Sequence, residues 1–324
     1  MYRTAARLAA TALVCAVAAG GCGVGPGEAD EGEASLVVTR DFGAEEIASG
    51  ALEGPTPSDS VVRFLDGHAD IETDYGDNFV SAIDGIEGST VGGEDDWFFY
   101  VNGVWSDIGA GEARVHSGDR IWWDYRSSDV AYRVPAVVGS WPEPFLHGYD
   151  DEVRPVVVEC IAAEPAPCET VEESLADVGV DAESEQLERP AEHPDSLRIL
   201  VGPWESLRSD RAVRQIEDGP SISGVYADVE PCDEGWSVSI LGEDGRPRRV
   251  LDSGGLVAAV RQGEDEPTWV VTAGSEDDLA AAAELLGEDE LSNRYAVAAD
   301  SGGGEAISVP APADAATVPA GSCS

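Results

Sequence analysis

The sequence predicts an α+β protein of about two domains, and three observations support this fold class. The chain has 324 residues, which is about twice the usual length of one domain. Its hydrophobic fraction of 43% and its eight Trp residues are sufficient for packed cores. Residues 35–127 contain short strand and turn patterns around one helix, whereas residues 153–300 alternate strand and helix patterns.

The charge balance excludes nucleic acid as a partner and argues against charge-driven docking on anionic lipid. The chain has 64 acidic residues and 19 basic residues, which gives a formal net charge of −45. Every one of the basic residues is Arg. Nucleic-acid binding needs a basic surface, and charge-driven docking on anionic lipid needs the same. The acidity itself is compatible either with attraction of a cationic ligand or with a solvated surface suited to salty surroundings.

The beginning of the chain is typical of an export signal. Residues 1–21 have a basic start, with Arg3 and Arg7, and then an apolar run from Leu8 to Ala19 that is too short for a permanent membrane span. The end of this run, Ala19-Gly20-Gly21-Cys22, resembles the lipobox of bacterial lipoproteins and predicts Cys22 as the acylated residue. The alternative is an ordinary secreted protein in which Cys22 is incidental. Residues 22–34 are rich in Gly and acids and predict a solvated tether.

Four cysteines remain after the predicted signal: Cys160, Cys168, Cys232 and Cys323. An even number in an exported chain indicates disulfides, and four cysteines allow three pairings. Cys160 and Cys168 would close a short local loop, so that Cys232 would pair with Cys323 and fix the tail. A zinc site is the competing interpretation, but no CxxC spacing occurs.

The first domain, residues 35–127, begins with a strand at Leu36–Thr39. A short helix follows, with Ser58 or Asp59 as its cap. The strongest signal is the run Trp97-Phe98-Phe99-Tyr100-Val101-Asn102-Gly103, which predicts a strand that ends in an Asn-Gly hairpin turn. A second turn at residues 117–119 then precedes an aromatic strand at residues 120–125.

These residues carry a family resemblance. The run WFFYVNG followed by GAGEARVHSGDRIWWDYR resembles the DUF4430 domain, which is akin to the C-terminal domain of transcobalamin and intrinsic factor. The resemblance implies a β-grasp-like fold, in which a small sheet packs on one helix. It also implies a soluble ligand, such as cobalamin or another corrinoid.

By this analogy, a binding face of aromatic and polar side chains is expected in the first domain. Its candidate residues are Tyr100, Asn102, Trp105, Trp122 and Tyr125. The alternative is that about half of them belong to the core, because Trp97, Phe99 and Val101 share one face of the strand while Phe98, Tyr100 and Asn102 share the other. Asn102 is also explained by its turn.

Residues 128–152 are expected to connect the two domains, and residues 153–300 to form a small α/β layer domain. Its predicted strands include residues 156–158, 197–201, 236–241 and 269–272. Predicted helices end near Gly179, Gly219 and Gly287, and the last of them is expected to be capped by Ser275. Residues 301–324 are expected to be irregular apart from Cys323.

No catalytic residue, cofactor motif or metal site is predicted. The four His are isolated in the sequence, and the acidic run at residues 70–74 lacks the Gly and Glu that a calcium loop needs. The sequence therefore favours a non-catalytic, lipid-anchored extracytoplasmic protein that captures a soluble ligand and passes it to a membrane transporter. The alternative is a cell-surface protein-interaction or envelope-assembly module without a small-molecule ligand.

Overall fold

A five-stranded sheet with the aromatic strand near its centre organises the first domain. The computed structural model describes residues 28–89, 95–232, 235–300 and 306–318. The elements of the first domain are β1 (Glu33–Arg40), β2 (Glu45–Glu53), α1 (Val61–Asp66), β3 (Ile71–Asp74), β4 (Phe79–Ile83), β5 (Ile86–Glu87), β6 (Asp95–Val101), β7 (Val104–Trp105) and β8 (Arg120–Ser127). The main sheet has the order β2-β1-β8-β6-β7, with β1 and β8 parallel, and β3, β4 and β5 form a separate small sheet.

The two faces of the main sheet are both buried, but against different partners. Trp97, Phe99 and Trp123 pack with Leu65 of α1 in the core of the first domain. Phe98, Tyr100 and Trp122 lie on the opposite face and pack in a core shared with the second domain. The alternation predicted for the aromatic strand is confirmed, and the sheet with one helix agrees with the α+β fold expected from the sequence.

The connecting segment is an internal part of the molecule. Trp141 and Phe145 are buried in the larger core of the second domain, and their rings contact that of Trp269. Its backbone bonds to both domains, because the N–H of Val137 donates to the carbonyl of Gly103 at 2.9 Å and that of Val138 donates to the carbonyl of Tyr295 at 3.2 Å. This segment therefore acts as a strap that fixes one domain to the other.

A seven-stranded mixed sheet forms the centre of the second domain. Its order is β10-β9-β11-β16-β15-β17-β18, with the first four strands parallel and the last three antiparallel to their neighbours. The elements of this domain are β9 (Val156–Cys160), α2 (Ala166–Asp177), β10 (Ala182–Gln186), β11 (Leu197–Pro203), α3 (Trp204–Leu207), α4 (Arg211–Glu217), α5 (Pro220–Ser223), β12 (Ala227–Cys232), β13 (Gly235–Leu241), β14 (Pro247–Asp252), β15 (Gly255–Val260), β16 (Thr268–Ala273), α6 (Leu279–Ala283), α7 (Glu288–Leu291), β17 (Ala296–Ala299) and β18 (Ile307–Val309).

Two layers cover this sheet. Helices α2 and α6 pack on one face through side chains such as Leu175 and Leu279. Helices α3 and α4 and the three-stranded sheet β12-β13-β14 pack on the other, together with the aromatic face of the first domain. Among the helices that the structure describes, none is both long enough and apolar enough to cross a membrane.

Several local features differ from the sequence expectations. The N-cap of α1 is Ser60 and not Ser58 or Asp59, and its side chain makes no capping hydrogen bond. Strand β18 lies inside the segment 301–324, which was expected to be irregular, because its backbone pairs with β17. Ser275 does not cap the helix near residue 279; Asp278 occupies the N-cap, and the Ser275 hydroxyl bonds to its carboxylate at 2.5 Å. Strand β15 was not predicted at all, because its sequence GLVAAV is buried throughout and has no alternation.

The described cysteines agree with the predicted local pairing. Cys160 and Cys168 form a disulfide with their Cα atoms 5.8 Å apart. Cys232 is also disulfide-bonded, whereas Cys323, its predicted partner, lies outside the described residues. The zinc alternative is excluded for Cys160 and Cys168, because both sulfurs are in the disulfide.

Candidate functional site

The five candidate ligand residues do not form one accessible face. Tyr100 and Trp122 are buried between the main sheet and the second domain, with their ring centroids 5.6 Å apart and both close to the ring of Tyr295. Tyr125 is half-buried elsewhere, and its hydroxyl donates to the carbonyl of Glu87 at 3.2 Å. The remaining two, Asn102 and Trp105, lie together at the β6–β7 hairpin and line a pocket.

Asn102 holds the hairpin turn in place from inside the protein. Asn102 and Gly103 adopt positive φ angles of 54° and 76°, as the Asn-Gly turn requires. The Asn102 amide nitrogen donates to the Asp119 carboxylate at 2.8 Å and to the Gly148 carbonyl at 2.7 Å. Its carbonyl oxygen accepts from the backbone N–H of Arg120 at 2.8 Å. One buried amide therefore joins the hairpin, the turn at residues 117–119 and the strap.

The pocket, with a volume of about 480 Å³, lies where these three segments meet. Its lining includes the apolar side chains of Val104, Trp105, Ile108 and Val153. The guanidinium of Arg133 stacks on the Trp105 ring, 4.4 Å from its centroid. The volume is within the range of about 300–1,000 Å³ that is usual for small-molecule sites.

The lining also includes two histidines that are far apart in the sequence, His116 and His147. His147 is 43% exposed, whereas its partner Glu143 is 1% exposed. Glu143 accepts from the backbone N–H of His147 at 2.8 Å and lies 2.5 Å from its Nδ1. Burial raises the pKa of Glu143, and the His147 hydrogen bonds oppose this increase. Both oxygens of a buried carboxylate are thus used to position one accessible imidazole.

His116 has a different environment in the same pocket. Its Nδ1 is 3.6 Å from the carboxylate of Asp119, and its Nε2 is 3.3 Å from that of Asp151. The hydrogen-bonding contact with Asp119 is the main cause of a raised pKa of His116. Both ring nitrogens of His116 therefore face carboxylates of the protein.

Sequence reasoning missed the grouping of His116 and His147. The two residues are on separate segments, and each was interpreted as an isolated loop residue. A local signal existed for one of them, because Glu143 and His147 are four residues apart, a spacing that lets their side chains meet in a helical turn. Among the described residues, no group of three or more His, Cys, Asp or Glu side chains is arranged to hold a metal ion.

The aromatic face of the first domain encloses a charged group at the domain interface. Asp124, fully buried, accepts from Thr39 Oγ1 at 2.6 Å, from the Gly43 N–H at 3.1 Å and from the Tyr295 hydroxyl at 2.8 Å. Burial raises the pKa of Asp124 from 3.8 to about 6, although these hydrogen bonds oppose the increase. Arg126, also buried, lies 3.9 Å from the centroid of the Phe98 ring.

Comparisons with known proteins place part of the chain in a family. No curated protein matches the chain. Among solved structures, it is similar to a "putative metal binding protein" from Ruminococcus gnavus ATCC 29149, with 14% identity, a TM-score of 0.24, and coverage of 30% of this chain and 99% of that chain. A TM-score and an identity this low do not establish a shared fold or function. Residues 58–127, which include α1, the aromatic strand and β8, match the model of the family described as "Domain of unknown function (DUF4430)", so the first domain contains a DUF4430 domain.

Proposed function

We propose that this chain is a non-catalytic extracytoplasmic binding protein that captures a small soluble ligand in the pocket beside the β6–β7 hairpin. A corrinoid is the first ligand to test, because of the resemblance of the DUF4430 domain to the transcobalamin group. The bound ligand would then pass to a membrane transporter.

The observation that carries the proposal is the exposed apolar surface at this pocket. Ile108 and Val153 are 52% and 64% exposed, and both line the pocket beside Trp105. Exposed apolar side chains next to a concave surface are typical of a binding site. They are especially informative on a chain with a net charge of −45, where most of the surface is expected to be polar.

The proposed location outside the cytoplasm depends on residues 1–22. The predicted signal peptide and the predicted lipid anchor at Cys22 lie outside the described residues. The Cys160–Cys168 disulfide supports an oxidising compartment, because cytosolic thiols are usually kept reduced. Mass spectrometry of the membrane fraction, with a Cys22→Ala variant as control, would detect the diacylglycerol mass and its loss.

The proposal is tested by calorimetric titration of residues 23–324 with cobalamin and with cobinamide, at low and at high salt. This form retains every core residue that the structure describes, since Ala34 is the first buried side chain in the described range that begins at residue 28. We expect micromolar or tighter binding that persists at high salt, because the contacts on the pocket wall are apolar. Absence of heat with folded protein would rule out corrinoid capture.

Two variants test whether this pocket is the ligand-binding site. Trp105→Ala is expected to weaken binding by about tenfold or more, as truncation of a central aromatic contact does in other interfaces. Tyr75→Ala is the matched control, because Tyr75 is 87% exposed and lies outside the pocket. Equal loss of affinity in both variants would show that the pocket is not the site.

One observation favours the alternative of a protein-interaction module. Tyr75 and Phe79 are exposed at the β3–β4 hairpin, and their rings contact each other with centroids 6.5 Å apart. On this alternative no small-molecule ligand binds, and Tyr75→Ala would weaken recruitment of the protein by its partner in the cell envelope, whereas Trp105→Ala would leave that recruitment unchanged. The two variants therefore separate the two functions.

A further inference from the structure

A second pocket, with a volume of about 420 Å³, lies in the second domain at the amino ends of β11 and β16. Its lining comes from the loop that leads into β11, from α4 with the turn before it, and from the end of β15 with the loop to β16. No residue lines both this pocket and the one beside the β6–β7 hairpin. An inference about it therefore stands apart from the proposed function.

One buried guanidinium ties the segments around this pocket together. The Arg198 side chain is 12% exposed; its Nε donates to Glu159 at 2.5 Å and its Nη2 donates to Asp210 at 2.8 Å. Glu159 also accepts from the backbone N–H of Ala191 at 2.7 Å, and Asp210 accepts from that of Ala212 at 2.7 Å. The loop before β11 and the helix α4 are thus held in fixed positions, as in a preformed binding site.

The acidic side chains of the lining are mostly engaged already. Three of the four are paired with Arg side chains at distances between 2.7 and 3.2 Å: Asp210 with Arg198, Asp265 with Arg211, and Glu266 with Arg154. The fourth, Glu192, is exposed. The carboxylates of the lining therefore do little to attract a cationic ligand.

Two adjacent residues of α4 offer donors that the protein does not use. Arg214 donates to the backbone carbonyl of Ser209 and forms no ion pair with any described carboxylate, on a chain with 64 acidic residues. Gln215 is only 7% exposed, and its amide nitrogen has no hydrogen-bond partner among the described residues. The terminal torsion of Gln is broad and twofold, so the amide can turn its N–H groups to the pocket. A buried donor without a partner costs free energy, which an acceptor on a ligand would restore.

We propose that this pocket binds a small sugar acid, that is, a monosaccharide that carries a carboxylate. The carboxylate accepts from the guanidinium of Arg214, whose parallel N–H groups match its two oxygens, and from the amide of Gln215. The hydroxyls of the sugar meet the polar part of the lining, which includes Ser196, Ser209 and Thr268. None of the described lining residues is aromatic, so a flat apolar ligand has no ring to stack on.

The test is calorimetric titration of residues 23–324 with glucuronate and with galacturonate. An ionic strength of about 0.15 M screens exposed charges that lie more than about 8 Å apart, which limits repulsion by the acidic surface. Glucose and galactose are the matched neutral sugars, and acetate supplies the carboxylate without the ring. We expect 1:1 binding of at least one sugar acid, and binding of its neutral counterpart and of acetate that is weaker by about tenfold or more.

Matched variants locate the binding. Arg214→Gln and Gln215→Leu should each weaken binding of the sugar acid by about tenfold or more, because each removes one donor to a charged group. Arg63→Gln is the control, because Arg63 is also exposed and also donates to a backbone carbonyl five residues earlier, that of Ser58, but lies on α1 in the first domain. It removes the same charge and should leave the affinity unchanged.

Thermal melting without ligand separates a binding role of Gln215 from a structural one. Gln215→Leu removes a buried polar group that has no partner, so its melting temperature should equal or exceed that of the native chain. A lower melting temperature would show that the amide has a structural partner, and would overturn its role as a ligand donor.

The remaining outcomes either support or overturn the site. Binding of a sugar acid that both α4 variants weaken and Arg63→Gln retains supports it. No heat with either sugar acid and folded protein, equal affinity for the neutral sugars, or unchanged affinity in Arg214→Gln and Gln215→Leu overturns it. Corrinoid titration of the same chain reports separately on the proposed function.

Discussion

Substitution of Asp124 by Asn should change how the stability of the protein depends on pH. Asp124 is fully buried at the domain interface, and its pKa is raised from 3.8 to about 6. The charged groups and hydroxyls that face it come from both domains: Thr39, Tyr100, Arg126 and Tyr295. Asn has the same shape as Asp, so the variant removes the titration and keeps the packing.

The sign of the effect follows from the direction of the pKa shift. The folded state binds the Asp124 proton more tightly than the unfolded state does, so ionisation costs stability as the pH rises from about 4 to about 6. The full cost above pH 6 is about 3 kcal/mol, from a shift of about two units at 1.36 kcal/mol each. Between pH 5 and pH 7.5 the linkage relation leaves about 1 kcal/mol of this change.

Urea unfolding followed by Trp fluorescence measures the effect, at several pH values between 5 and 7.5. This range stays above the isoelectric point of about 4.1, where the protein is expected to be least soluble. The free energy of unfolding of Asp124→Asn relative to the native chain should rise by about 1 kcal/mol across the range. Asp41→Asn, at an exposed position of the same domain, removes the same charge and should show no such rise relative to the native chain.

Parallel pH curves for Asp124→Asn and the native chain would refute the reasoning. Such a result would mean that water reaches Asp124, and hence that the second domain does not cover it as the structure describes. A rise in the Asp41→Asn control as large as that in Asp124→Asn would instead assign the effect to the overall negative charge.

Three further predictions concern the contacts that hold the domains and the pocket together. Tyr295→Phe removes the hydroxyl that donates to Asp124 at 2.8 Å and should cost about 1.5–3 kcal/mol of unfolding free energy at pH 7.5, measured in urea. Replacement of both Cys160 and Cys168 by Ser opens a loop with a sequence separation of eight residues, and should cost about 2–3 kcal/mol by urea unfolding. Asn102→Ala leaves the buried Asp119 carboxylate and the Gly148 carbonyl without this donor, and should cost about 2 kcal/mol or more; a loss below about 1 kcal/mol would contradict its assigned role.

The sequence was sufficient for features that depend on neighbouring residues. The Asn102-Gly103 turn was predictable because few dipeptides accept two positive φ angles in succession. The alternation of Phe98 and Phe99 between two faces was predictable because side chains alternate along any strand. Asp210 caps α4, and its carboxylate accepts from the N–H of Ala212, which is a local interaction that Asp favours at the start of a helix.

Features that depend on distant segments were not predictable in this way. An aromatic face on a strand looks the same in the sequence whether a ligand or another domain covers it. In the structure, Tyr226 and Tyr295 from the second domain complete the ring contacts around Phe42, and Tyr295 also contacts Tyr100 and Trp122. The position of His147 at the pocket could not be predicted for the same reason. His147 lies on the strap, which is distant in the sequence from His116 and from the 117–119 turn that follows it.

The burial of the aromatic face determines where a ligand can be recognised. Because the second domain covers Phe98, Tyr100 and Trp122, a ligand meets the first domain only at the edges of its sheet and at its loops. At the pocket, those loops are held by the amide of Asn102, which bonds to the 117–119 turn and to the strap at once. The exposed side chains on the rim of the pocket, such as Ile108 and Val153, do not belong to the hydrophobic cores that join the domains. Substitutions on the rim should therefore alter ligand affinity with little change in stability, whereas substitutions at Asn102 should alter both.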